Sequence, residues 1–175
     1  QALGGMMHAT GEPDGPPQVA GTGIADTNAA VNGCLATVAA LLCKERTGVG
    51  QHVEVCMLDS LMPMDCVMIP MCAGSNGTIE PKRYGRHSSF VAPFGVYECQ
   101  GEYVFLQSLG SGGDSMWGRC CRAIGREDMI DDPCFDTNEH RLQNVEQMIA
   151  HLQAWFDRQP SAMAAAQHLQ RHRVA

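Results

Sequence analysis

The sequence predicts an α/β fold in its first half that gives way to a small α+β unit in its second. Three observations carry this. A long, mostly apolar helical stretch near the start ends in charged residues and glycines and leads into an alternating segment. A polar, glycine-rich stretch near residue 80 interrupts the pattern. Beyond it, a strand–turn–strand signature is followed by short amphipathic helices.

The chain of 175 residues suits one full domain or pieces of two. Its hydrophobic content of 45% with 18% charged residues is that of an ordinary globular protein. A net charge of −7 argues against nucleic acid as the main partner, because phosphate neutralisation needs a basic surface. The nine cysteines show no CxxC pair and no His/Cys ladder. Their odd count and irregular spacing read as reduced, buried thiols, which points to a reducing compartment such as the cytoplasm. No apolar run approaches the ~20 residues of a membrane span. The opening "QALGGMM" and closing "HLQRHRVA" look like cuts within a longer protein.

Residues 11–23, "GEPDGPPQVAGTG", read as a Gly/Pro loop. The helix near Asp26 carries Val31, Cys34, Leu35, Val38, Leu41 and Leu42, a repeat expected to be buried on more than one side. Lys44 and Arg46 suit its negative end, and Gly48 and Gly50 stop it. "QHVEVCML" alternates as a strand. "DSLMPMDCVMIPMCAG" reads as a second apolar helix, bent or ended near Pro63 and Pro70.

The boundary is expected in the polar stretch, with residues 1–80 in one domain, 81–92 as a linker or loop, and 93–175 as the small domain. "FGVYECQGEYVFLQS" predicts a hairpin turning at Gln100-Gly101. "DSMWGRCCRAIG" predicts a short helix stopped at Gly125, and "TNEHRLQNVEQMIAHLQAWF" one amphipathic helix capped by Thr137 or Asn138. A last helix is expected to hold Pro160 in its first turn.

Asp26 is the first candidate site. It reads either as a helix cap or as a nucleophile held ionised at the positive helix end, among small residues that leave room for a ligand. "RYGRHSS", Arg83 to Ser89, reads either as a solvated linker or as an anion-binding loop using Arg83 and Arg86. "GSGGDS", Gly110 to Ser115, resembles a phosphate cradle but lacks the P-loop lysine, so a strand-to-helix turn is the simpler reading. His168 and His172 stand i, i+4 on a polar helix and read as surface rather than as metal ligands. No metal site is expected.

Read in order, "QALGG…TGEPDGPP", "GIADTNAAVNGCLATVAALLCKERTGVGQHVEVCMLDSLM", "APFGVYECQGEYVFL" and "DDPCFDTNEHRLQN" resemble the class III CoA-transferases of the CaiB/BaiF type. The resemblance runs the whole length. It implies that Asp26 is the nucleophile and that Gly85, Arg86, His87 and Ser88 belong to a loop over the active site. It implies a Rossmann-like large domain with a small domain inserted, in two chains that interlock as a homodimer. It also implies coenzyme A as a substrate, with no permanently bound cofactor. On that map most of the CoA-binding surface precedes Gln1, and the closing segment of the large domain follows Ala175. An α-methylacyl-CoA racemase and a non-catalytic fragment are the rival readings.

Overall fold

The computed structural model describes residues 1–64 and 68–175. The chain divides into two units, Gln1–Gly85 and Arg86–Ala175.

The first unit is helical. It holds α1 (Met6–Ala9), α2 (Ile24–Thr47), α3 (Met57–Leu61) with a 3-10 turn at Met62–Met64, and α4 (Met68–Gly74). The 24-residue α2 ends as its sequence predicts: Gly48 takes φ 75° and its N–H closes on the Lys44 carbonyl at 2.8 Å. Only glycine adopts that left-handed conformation without steric cost. Residues 11–23 are largely irregular, and Gln1 clamps them: Ala20 N–H donates to its Oε1 at 3.0 Å and its Nε2 donates to the Thr22 carbonyl at 3.0 Å.

Two expectations fail here. No residue of α2 is buried, and Leu35 is 68% exposed. In the described unit α2 packs against α3, with Asn28 Nδ2 donating to the Ser60 carbonyl and Gly33 facing Val55. An apolar perimeter without a polar face needs cover on several sides, and α3 supplies one. Residues 51–56 also form no strand. Cys56 has extended backbone, yet no described segment pairs with its neighbours, and an extended run without a ladder is not a sheet. Of the predicted second helix, α3, the turn and α4 are seen, with Pro63 in the turn and Pro70 near the start of α4. Asp65, Cys66 and Val67 lie outside the described residues.

The second unit is the predicted α+β body. β1 (Phe94–Cys99) and β2 (Glu102–Gln107) pair antiparallel, with Tyr97 opposite Val104. Gln100 and Gly101 make the two-residue turn, both with positive φ (55° and 79°), which matches the twist of the flanking strands. Alternation sends Tyr97, Cys99, Val104 and Leu106 into the core. There they meet Trp117, Cys120 and Cys121 of α5 (Met116–Ala123), Met148, Leu152 and Phe156 of α7 (Val145–Phe156), and Leu169 of α8 (Ala162–Arg171). Tyr97 stacks on Phe156 with ring centroids 5.1 Å apart.

The single helix expected over 137–156 is two, α6 (Asn138–Gln143) and α7. They break at Asn144 (φ −112°), whose Nδ2 donates to the Cys134 and His140 carbonyls at 3.3 and 2.9 Å. An Asn side chain that satisfies nearby carbonyls competes with the helix ladder. Thr137 is the cap of α6, accepting from His140 N–H at 3.1 Å. Ser161 caps α8, so Pro160 stands before that helix rather than in its first turn. The cysteines divide: Cys99, Cys120 and Cys121 are buried as expected, while Cys34, Cys43 and Cys56 are exposed.

Two surface pairs contribute to the acid response of this unit. Arg126 donates to Asp128 from Nη2 at 2.7 Å and Nε at 2.8 Å, and His140 Nδ1 lies 2.6 Å from Asp136. These hydrogen bonds hold both carboxyls below their ordinary value of 3.8. A depressed folded-state value contributes stability that is complete above 3.8 and lost as pH falls through the lower folded values. Asp128→Asn/Asp136→Asn is therefore expected to flatten the fall of the urea midpoint below about pH 4. An acid limb unchanged from the parent would contradict this.

Candidate active site

Asp26 is the third residue of α2, not its cap. The cap position is Gly23, which makes no side-chain hydrogen bond, so the capping reading of Asp26 fails. Among the described residues no hydrogen bond engages its carboxylate, which is exposed. The first-turn N–H groups of a helix have no intrahelical partner, and their partial positive charge favours an anion there. Gly23 leaves the space beside it: a Cβ at that position would stand 3.3 Å from Asp26 Oδ2. Asp26 lines an open cleft of about 560 Å³ with Ala2, Leu3, Ala25, Cys56, Met57 and Leu58, and with Leu61 and Gln1. The cleft brings together the mouth of α2, the chain's first residues and the start of α3. Linear reading could not join these three segments.

The other predicted residues divide between the units. Gly85 closes the first, with φ 66° and its N–H donating to the Gly11 carbonyl at 3.2 Å. Arg83 donates from Nε to the Glu12 carbonyl at 3.1 Å and from Nη1 to the His8 carbonyl at 3.2 Å, tying residues 8–12 to the loop. Arg86, His87 and Ser88 open the second unit and run beside β1. Val96 N–H donates to the Arg86 carbonyl at 2.9 Å and Ser88 N–H to the Phe94 carbonyl at 2.8 Å. Arg86 places its guanidinium 5.3 Å from the centre of the Tyr103 ring. Ser88 Oγ accepts from the backbone N–H of Phe90 and Val91 at 3.1 and 3.3 Å, the geometry of a turn-forming serine.

His87 is held edge-on to Tyr97, centroids 4.9 Å apart, and half-burial with the nearby Arg86 lowers its pKa from the ordinary 6.5. The ring is therefore neutral at pH 7. Sequence reading missed what seats it. Gly95 lies directly beneath the ring, where a Cβ would collide with His87 Nδ1 and stand 2.6 Å from the Arg86 carbonyl. A glycine inside a strand pattern is the signal that could have revealed this close approach. Gly95→Ala is expected to displace residues 86–88 and destabilise the second unit by about 1–3 kcal/mol, as overpacking does. Equilibrium unfolding with the His87 ring resonances as reporter checks it; unshifted resonances and full stability would contradict it.

The Gly110–Ser115 stretch is a turn, not a phosphate cradle. Its carbonyls gather cations: Gly110 accepts from Arg141 at 2.8 Å, Gly113 from Arg122 at 2.5 Å and Asp114 from Arg119 at 2.9 Å. A phosphate site needs N–H groups turned inward, the opposite arrangement. His168 lies 2.8 Å from the Ala123 carbonyl of α5, and His172 3.0 Å from the His168 carbonyl of α8. Among the described residues no three His, Cys, Asp or Glu side chains gather as a metal would need, and no helix is long and apolar enough to cross a membrane.

The whole chain, residues 1–175, matches the family described as CoA-transferase family III, and it belongs to that family. It is 34% identical over 163 residues to an acetyl-CoA:oxalate CoA-transferase of Acetobacter aceti, covering 93% of this chain and 41% of that protein. It is 31% identical over 157 residues to a succinyl-CoA:mesaconate CoA-transferase of Haloarcula marismortui, covering 89% of this chain and 37% of that one. The solved structure of a CaiB/BaiF family protein from Brucella suis matches with a TM-score of 0.75 and 27% identity, over 100% of this chain and 45% of its own. The chain thus spans about two-fifths of the length of the relatives it matches. The predicted α/β class with its small sheet agrees with these neighbours.

Proposed function

We propose that the protein carrying this chain transfers coenzyme A between an acyl-CoA and a carboxylic acid, with Asp26 as nucleophile. The supporting observation is the uncapped, exposed carboxylate of Asp26 at the first turn of α2, open to a cleft. The relatives' names, with oxalate and mesaconate as acids, support the same class of reaction.

The chemistry asks for one carboxylate. Asp26 attacks the donor thioester carbonyl, the C–S bond breaks, and a mixed anhydride forms as CoA leaves as its thiolate. The thiolate then attacks the Asp26 carbonyl and expels the donor acid as its carboxylate, leaving an aspartyl-CoA thioester. An acceptor carboxylate attacks that thioester to form a new anhydride and thiolate. The thiolate takes the acceptor acyl group and frees Asp26. No net proton is moved, and CoA is a substrate rather than a resident cofactor. The free N–H groups at the α2 mouth suit the oxyanions formed at the Asp26 carbonyl.

In this reading the first unit is part of a large CoA-transferase domain and the second is the small domain. Gly85, Arg86, His87 and Ser88 form a loop that closes on the acyl group, in an interlocked homodimer of a cytoplasmic enzyme. The test is CoA transfer from a panel of acyl-CoAs to a panel of acids by the intact protein carrying this chain, alongside deuterium exchange at the α-carbon of a 2-methylacyl-CoA. Transfer without exchange supports the proposal. Exchange without transfer would replace it with a racemase, and neither activity would leave a non-catalytic fragment.

A further inference from the structure

We infer that Gln1 is a positioning residue for Asp26. Its side-chain amide holds the entrance of α2, and with it the first turn that carries the Asp26 carboxylate, at a fixed place on the cleft wall. This rests on the transferase reading and deepens it. The observation is a two-sided amide clamp on a segment whose own sequence gives it no stiffness.

Residues 20–23 read Ala-Gly-Thr-Gly. Gly21 has open space where a Cβ would stand, and the cap position, Gly23, offers no side chain to the first turn. Two glycines in so short a run leave the backbone with the most freedom to lose on ordering. Gln1 supplies the order from outside. Its Oε1 accepts from Ala20 N–H at 3.0 Å, and its Nε2 donates to the Thr22 carbonyl at 3.0 Å and to the Ala20 carbonyl at 3.4 Å. Thr22 N–H in turn donates to the Ala20 carbonyl at 2.7 Å and closes a tight turn. Thr22 adjoins Gly23, whose carbonyl accepts from Thr27 N–H at 3.0 Å and so sets the turn on which Asp26 stands. The clamp is anchored at its other end. Gly4 packs on α3, where a Cβ would stand 2.8 Å from Leu61 Cδ2, and Leu61 is buried. The Gln1 amide therefore joins the wall made by residues 1–4 and α3 to the wall made by the mouth of α2, and both Gln1 and Asp26 line the cleft between them. A nucleophile acts through its place, and a misplacement of about 1 Å costs on the order of 10²-fold in rate.

The test is Gln1→Met in the intact protein carrying this chain, which keeps the bulk of the side chain and removes both hydrogen-bonding ends. Gln1→Glu, which keeps the acceptor for Ala20 N–H and loses the donors, serves as an independent repeat. Acetyl-CoA and succinyl-CoA are the donors, and the hydroxamate at Asp26 is quantified by peptide mapping after a hydroxylamine quench. The maximal labelling rate is expected to fall about 10–10²-fold, while the donor concentration for half that rate shifts by less than about threefold. Amide hydrogen exchange at residues 20–26 is expected to quicken at least about tenfold, with α2 beyond Val31 unchanged. Gly21 lies outside the left-handed region and has room for a methyl group. Gly21→Ala added to Gln1→Met is therefore expected to recover about two- to fivefold in rate, by removing backbone freedom that the clamp no longer removes. Faster exchange with an unchanged labelling rate overturns the inference, because the clamp would then order the loop without placing Asp26. Unchanged exchange overturns it too, and so does a fall in rate matched by an equal rise in the half-maximal donor concentration, which would make Gln1 a substrate contact. In each of these cases labelling of the parent leaves the transferase reading intact. A parent that neither donor labels overturns that reading and the inference together.

Discussion

Asp26→Asn is expected to lower kcat for CoA transfer by at least about 10³-fold while leaving KM for acyl-CoA nearly unchanged. The amide keeps the shape of the side chain but is a far poorer nucleophile than the carboxylate, so the anhydride does not form. The fold should tolerate the change. The carboxylate is exposed, caps nothing and accepts no hydrogen bond among the described residues. What is lost is the attraction between a charge and the helix N-terminus, about 0.3–1 kcal/mol. A kcat within tenfold of the parent would remove Asp26 from the chemistry, and stability falling by much more than this would give its carboxylate a structural role. The Asp26→Glu variant sharpens the comparison, since it keeps the carboxylate but moves it by one methylene. A positional nucleophile loses rate there too.

Arg141→Met is expected to cost the second unit about 3–5 kcal/mol, the largest stability effect of any single change considered. Arg141 is fully buried. Its guanidinium donates to the carbonyls of Ala92 at 2.6 Å, Phe135 at 2.8 Å and Gly110 at 2.8 Å, and lies 4.7 Å from the centre of the Trp117 ring. It therefore ties the segment before β1, the turn after β2 and the residues before α6 to one point. Burial lowers its pKa, yet a guanidinium stays charged at any ordinary pH. A buried cation is costly, and that cost alone favours its removal. The acceptors decide against that: Met fills the volume but leaves the buried Ala92 and Phe135 carbonyls without their donor, and each unmet buried acceptor costs about 1–3 kcal/mol. Trp117 is the natural reporter of denaturant unfolding. A loss below about 1 kcal/mol would mean that water or other donors satisfy the carbonyls.

The elements legible in the sequence were those whose signals are local. The Gln100-Gly101 turn, the Gly48 stop of α2, the Thr137 cap and the alternation of β1 and β2 depend on residues within a few positions of one another. The failures were cooperative. Residues 51–56 have a strand's alternation, but a strand needs a neighbour, and none of the described segments is one. The break at Asn144 depends on the Cys134 carbonyl ten residues away, which no helical pattern encodes. Arg141 looked like one more cation on a helix, since nothing in "NEHRLQ" distinguishes a buried arginine from a surface one. At the site, Asp26 stood out for its place at a helix start, although the sequence could not separate cap from nucleophile. The cap at Gly23 removes the first of these readings. The apolar cleft was not legible, because its walls come from residues 1–3, 25 and 56–61, and only folding brings them together.

The central claim is that Asp26 carries the acyl group, and the most direct measurement looks for that bond. The intact protein is incubated with an acyl-CoA, trapped with hydroxylamine and digested, and the peptide containing Asp26 is sequenced by mass. The account predicts a hydroxamate on Asp26 that forms only with acyl-CoA and is absent from the Asp26→Asn variant. Turnover of the same acyl-CoA with no adduct at Asp26, or with the adduct on another residue, would contradict it.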